Sequence, residues 1–190
     1  LESDGTATFH FIHGFHKAVP PEGYEDFFGG PPFFRWLEES KDPEGVDGLE
    51  RIRDFPAGAS PEDTLRLFNP LGSSDGLAIT ATQALEHLRE IVKEHGPFEG
   101  IIGYSEGALM AGTLIMQEEE FKKNGDYNNK FKLAMFFGGW PPLKPDLKGM
   151  MLADETDLQL EVSTIHVSEC FPALSSASIF SFFLLGGEWL

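Results

Sequence analysis

The residues best suited to covalent chemistry are Gly103-Tyr104-Ser105-Glu106-Gly107, a G-x-S-x-G pattern with an apolar run on either side. A serine in this pattern can attack a carbonyl carbon, because a sharp strand-to-helix turn exposes its hydroxyl at the carboxyl edge of a sheet. Gly103 and Gly107 let neighbouring backbone pass where a side chain would clash. The same turn holds Ser105 in a strained backbone conformation. The N–H groups of Glu106 and Gly107, in the first turn of the helix, point toward any negative charge that forms beside Ser105. The bare pattern also arises by chance, as an ordinary tight turn with an incidental serine. The strand–turn–helix frame favours the nucleophile.

A serine nucleophile needs a base within hydrogen-bond reach and an acid that fixes the base's tautomer. His10, His13 and His16 recur every third residue. On a strand such residues face opposite sides, so no metal site is expected from them. His166, near the end of an apolar run, could approach the sheet edge that carries Ser105; a packed strand residue is the plainer reading. Asp154, Glu155 and Asp157 precede that run and read as a solvated acidic loop. Tyr104 and Trp140 are candidate pocket residues. Trp140 follows a strand's carboxyl end, where α/β ligands usually bind, although core packing serves it equally well. Cys170 follows no reactive motif.

The elements that must position these residues are mostly legible. Thr6–Ile12 is β-branched and aromatic and predicts a strand. A long loop is expected over His13–Pro32, then a short helical turn over Phe33–Leu37 and a polar, solvated stretch from Glu38 to Gly48. Ser60-Pro61-Glu62-Asp63 opens a short helix: serine caps, proline suits the first turn, and the acids complement the dipole. That helix should end near Asn69-Pro70. Leu77, Ala81, Ala84, Leu85, Leu88, Ile91 and Val92 recur at helical spacing, and Gly96-Pro97 stops that helix. Phe98–Ile102 leads into the elbow, and Ala108–Met116 supplies the helix after it. Glu118-Glu119-Glu120 reads as a solvated helix end. Leu133–Phe137 and Leu160–Val167 predict two further strands. Strands alternating with helices imply an α/β fold, a mainly parallel sheet with helices on both faces.

The totals agree with one globular domain. A chain of 190 residues that is 41% hydrophobic and includes 18 Phe can bury a proper core. A formal net charge of −17 repels phosphate backbones and anionic membranes, so neither nucleic acid nor membrane is an expected partner. A single cysteine excludes an intrachain disulfide framework and fits a reducing intracellular compartment.

With these stretches in order, the chain resembles the FSH-type (family of serine hydrolases) α/β-hydrolases, common in fungi and related to the ovarian-cancer-associated esterase group. The resemblance is carried by Phe9-His10-Phe11-Ile12, Glu25-Asp26-Phe27-Phe28-Gly29, Phe33-Phe34-Arg35 and Asp54–Asp63. It continues through Gly96–Ala108, Phe136–Pro142 and Leu152–Glu155. It implies an α/β-hydrolase domain over residues 1–167, incomplete at both ends, and a non-family tail over 168–190. It also implies hydrolysis of small-molecule esters or thioesters, often beside fungal secondary metabolism, with no metal or organic cofactor. Ser105 falls in the nucleophile's place and the Glu106 N–H in one arm of the oxyanion hole. The expected location is the cytoplasm, with the nucleus open.

Three parts of the family pattern do not carry over. Residues around His13-Gly14-Phe15 match the family's second strand, which implies that its first strand and helix precede Leu1. The alternative is that His13-Gly14-Phe15 is itself the oxyanion loop of a shortened protein. The Gly-x-x-Asp loop that carries the acid is replaced by Ser168-Glu169-Cys170-Phe171-Pro172-Ala173, and no histidine follows His166. The tail, with its apolar run Ile179–Leu185, reads as translated intron sequence or as a divergent C-terminus. Catalysis by this chain is expected to be severely impaired.

Overall fold

The computed structural model describes residues 2–19, 25–38, 58–68, 71, 75–124, 131–158 and 160–167. The expectations for 39–57, for the helix end at Asn69-Pro70, and for the tail with Cys170 lie outside those residues. The elements run β1 (His16–Ala18), α1 (Glu25–Phe28), β2 (Phe33–Arg35), α2 (Pro61–Phe68), α3 (Asp75–His95), β3 (Gly100–Tyr104), α4 (Glu106–Asn124), β4 (Leu133–Phe137) and β5 (Ser163–Val167).

The first two strands correct the sequence reading. Thr6–Ile12 is irregular, and the strand lies later, at His16–Ala18. Phe33–Arg35 is no helical turn. It pairs antiparallel with β1, with His16 opposite Arg35 and Ala18 opposite Phe33. Both are three-residue strands, so pairing with a distant segment decided their form where local propensity was indifferent.

The helices follow their local signals. The Ser60 hydroxyl accepts the Asp63 N–H at 3.0 Å, the N-cap bond that the sequence implies. In α3, Leu77, Ala81, Ala84, Leu85 and Leu88 form the buried stripe. In α4 every residue from Ala108 to Met116 is buried, as in a helix enclosed on all sides. Its surroundings include β3, β4 and α3. The expectation for the triple glutamate is corrected: Glu118 and Glu119 are buried, and only Glu120 is exposed. The Glu119 carboxylate accepts the Glu161 N–H at 2.8 Å, tying the helix end to the segment before β5. Asp154 and Glu155 are exposed, and both meet Arg66, at 2.6 and 3.3 Å.

The main sheet is parallel in the order β3-β4-β5. Ile101, Gly103, Ala134 and Phe136 line the face packed against α4. Among the described residues no helix covers the other face. Ile102 is 52% and Tyr104 62% exposed there, beside exposed Leu133, Ile165 and Val167.

This asymmetry sets an expectation for stability. Leu114→Ala, at a fully buried α4 position, should cost about 2–5 kcal/mol in urea unfolding. Ile102→Ala should cost under about 1 kcal/mol. Equal costs would mean that the open face is covered in solution.

Candidate active site

The elbow is built by close approach. Ser105 sits between β3 and α4 with φ at +51°, in the left-handed region that non-glycine residues rarely occupy. Its N–H donates to the Phe137 carbonyl at 2.8 Å, continuing the β3–β4 ladder one residue past the strand. The Ser105 carbonyl accepts the Ala108 N–H at 3.0 Å, so the helix starts on the serine itself. The N–H groups of Glu106 and Gly107 belong to the first turn, which has no intrahelical acceptors for them.

The steric demand falls on Gly103. A Cβ there would lie 2.5 Å from the Ala108 Cα and 2.6 Å from the Gly107 oxygen. A Cβ at Gly107 would meet only the Trp36 Nε1 at 3.6 Å, an ordinary contact. The second obligatory glycine is Gly139, after β4, where a Cβ would lie 2.2 Å from the Ala108 Cβ. Sequence reasoning missed Gly139. Its signals were the Gly138-Gly139 pair closing an apolar run and its place in the Phe136–Pro142 stretch that carries the family resemblance.

The Glu106 side chain was missed as well. Its carboxylate turns back from α4 to the end of β2, where Oε2 accepts the Trp36 N–H at 2.6 Å. Oε1 lies 3.4 Å from the Arg35 guanidinium. Burial pushes the Glu106 carboxyl above its ordinary value, against the opposing pull of Arg35 and of the Trp36 and Leu37 N–H groups. The His13-Gly14-Phe15 loop packs behind this segment, since a Cβ on Gly14 would lie 2.1 Å from the Arg35 carbonyl.

The histidines are dispersed. His10 stacks on His95 at 4.6 Å and lies near Phe98, at the amino end of β3, whereas Ser105 is at its carboxyl end. The His13 ring stacks on Phe34 at 4.3 Å, and His16 packs on Phe15 at 4.4 Å. His166 stands in the row Gly103–Phe136–His166, two strands from the elbow strand and roughly 10 Å across the sheet. Its ring packs 5.2 Å from Phe136, and burial lowers its pKa, favouring the neutral form. Tyr104 and Trp140 are not brought together: Tyr104 is on the open face, and Trp140, 7% exposed, is in the core. Among the described residues no group of three or more His, Cys, Asp or Glu could hold a metal ion. No helix among them is long and apolar enough to cross a membrane.

Ser105 thus stands at positive φ between a parallel strand and a helix buried from Ala108 to Met116, with first-turn N–H groups beside it. A family profile described as "Serine hydrolase (FSH1)" matches residues 3–168, and the chain belongs to that family. It is similar to an uncharacterized hydrolase of Schizosaccharomyces pombe, 34% identical over 51% of this chain and 26% of the relative. An esterase of Gibberella moniliformis, FUS5, is 27% identical over 47% of this chain and 39% of that protein. The protein named Family of serine hydrolases 3 of Saccharomyces cerevisiae is 26% identical over 54% and 38%. The matches thus span 26% to 39% of the length of these relatives. No solved structure matches the chain.

Two outcomes follow from the packing. Gly139→Ala should destabilise the fold by about 1–3 kcal/mol through overpacking against Ala108, while Gly107→Ala should be neutral or slightly stabilising in the same unfolding measurement. The Glu106 carboxyl binds its proton more tightly folded than unfolded. Its favourable contribution is therefore complete below the ordinary value of 4.5 and lost as pH rises through the higher folded-state value. Glu106→Gln removes that dependence, so the stability of the variant relative to the parent should rise as pH increases above the ordinary value of 4.5.

Proposed function

We propose that the protein hydrolyses small-molecule carboxylic esters or thioesters through Ser105. The observation that carries this reading is the backbone of Ser105, held at positive φ at the carboxyl end of β3 with its N–H fixed to Phe137. In the first half-reaction the Ser105 Oγ bonds to the carbonyl carbon and gives its proton to a base. The carbonyl oxygen becomes the oxyanion, stabilised by the Glu106 N–H. Collapse expels an alcohol or thiol, which takes up the proton. Water then attacks the acyl-enzyme by the reverse sequence, releasing the acid and restoring the serine. The esterase name of the Gibberella relative supports the substrate class. Residues 1–167 are the hydrolase portion in this reading and 168–190 lie outside it. The single cysteine supports a cytoplasmic or nuclear setting.

A second reading, a non-catalytic remnant that binds an acyl ligand or a partner protein, draws on the placement of the histidines. His10 lies at the amino end of β3 and His166 two strands from it, both away from the elbow. Without its base and acid a serine hydrolase typically retains only about 10³–10⁴-fold acceleration over water.

Intact-mass labelling with a fluorophosphonate separates the two. One adduct on the parent chain and none on Ser105→Ala is the expected result. A folded parent that takes no adduct would leave the elbow as a binding feature only.

A further inference from the structure

We propose that the Glu106 carboxylate is a positioning residue for Ser105, locking the end of β2 and the His13-Gly14-Phe15 loop against the first turn of α4; this rests on Ser105 being the nucleophile. A glutamate at the first position of a helix is adequately placed when it points into water, where it already complements the dipole. Glu106 does not do this. Its side chain is only 19% exposed, and a carboxylate taken out of water persists only where donors replace the lost hydration. Here the donors are the Trp36 N–H at 2.6 Å, the Leu37 N–H, and the Arg35 guanidinium at 3.4 Å. The first contact is short, as charge-assisted bonds are.

All three donors belong to residues 35–37, about 70 positions before Glu106 in the chain. Trp36 and Leu37 are buried, and the Trp36 indole lies against Gly107. On its far side the same backbone carries Gly14, fitted so tightly that no side chain could be added there. A continuous chain of contacts therefore runs from the nucleophile's neighbour, through its carboxylate, to the end of β2 and on to the His13-Gly14-Phe15 loop. Only one peptide unit separates the Glu106 Cα from that of Ser105. Anchoring the far end of the Glu106 side chain resists rotation of the first helical turn, and with it movement of both the Ser105 Oγ and the Glu106 N–H. Misplacement of reacting groups by about 1 Å can cost roughly 100-fold in rate.

The test measures the second-order rate of fluorophosphonate labelling for parent, Glu106→Ala and Glu106→Gln, well below each unfolding midpoint. Amide exchange is followed in parallel over residues 13–15, 33–38 and 103–108. Glu106→Ala should label about 10- to 100-fold more slowly and lose protection at Trp36 and Leu37. Glu106→Gln, which keeps an acceptor for the Trp36 N–H, should recover most of both. A purely structural glutamate would lower the unfolding midpoint and leave the labelling rate of the folded protein unchanged, which would overturn the proposal. If Glu106→Ala does not fold, Glu106→Asp, one methylene short of the Trp36 amide, takes its place with the same expectation. A parent that does not label defeats the activity reading instead, and exchange alone then decides. Protection lost at 35–37 and spreading to 13–15 and 103–108 supports the lock; unchanged exchange refutes it.

Discussion

The structure depends on how closely α4 can approach the carboxyl ends of β3 and β4. Gly103 and Gly139 hold positions where a single added carbon would collide with Ala108. Their lack of a side chain lets the helix begin directly on the serine, with the Ser105 N–H still bonded to Phe137. A larger residue at either site would lift the helix from the sheet, and the turn could no longer be so sharp. The positive φ of Ser105 follows from that geometry. Strain of this kind persists only where the surroundings over-determine it. Here they are a parallel ladder on one side and a helix buried from Ala108 to Met116 on the other.

Being enclosed, α4 serves as the hub to which separate segments are fastened. Three of its polar side chains each accept a backbone N–H from a different part of the chain: Glu106 from Trp36, Thr113 from Leu143, and Glu119 from Glu161. None of these N–H groups has a partner in the main sheet's ladder. At buried Trp36 and Leu143 an unsatisfied N–H would cost about 1–3 kcal/mol, so polar positions of α4 answer needs that arise elsewhere in the fold. This explains why polar residues stand in a helix whose central stretch, Ala108–Met116, is buried throughout.

Local rules made some elements legible and left others hidden. The cap at Ser60, the apolar stripe of α3, its stop at Gly96-Pro97 and the β3–Ser105–α4 junction all rest on interactions within a few residues. Such signals survive in a one-dimensional reading. β1 and β2 do not work that way. Phe33–Arg35 is extended because His16–Ala18 lies beside it, and neither run is long enough to declare itself. Glu118 and Glu119 look solvated by charge alone, and their burial follows from the segment before β5 crossing the end of α4. The family resemblance, now matched over residues 3–168, was carried by the ordered motifs, not by the short strands.

The sequence by itself determined where the strand–Ser105–helix turn falls, the stop of α3 before it and the α/β class, because each follows from backbone sterics, capping and periodicity over a handful of residues. Only the tertiary structure decided that Gly139 shares the elbow's steric load with Gly103, and that the Glu106 carboxylate faces inward to Trp36. It alone also placed His10 at the opposite end of β3 and set His166 beyond Phe136. The physical reason is the same in each case. These properties are relations between atoms far apart along the chain, fixed by which segments the burial of α4 brings together.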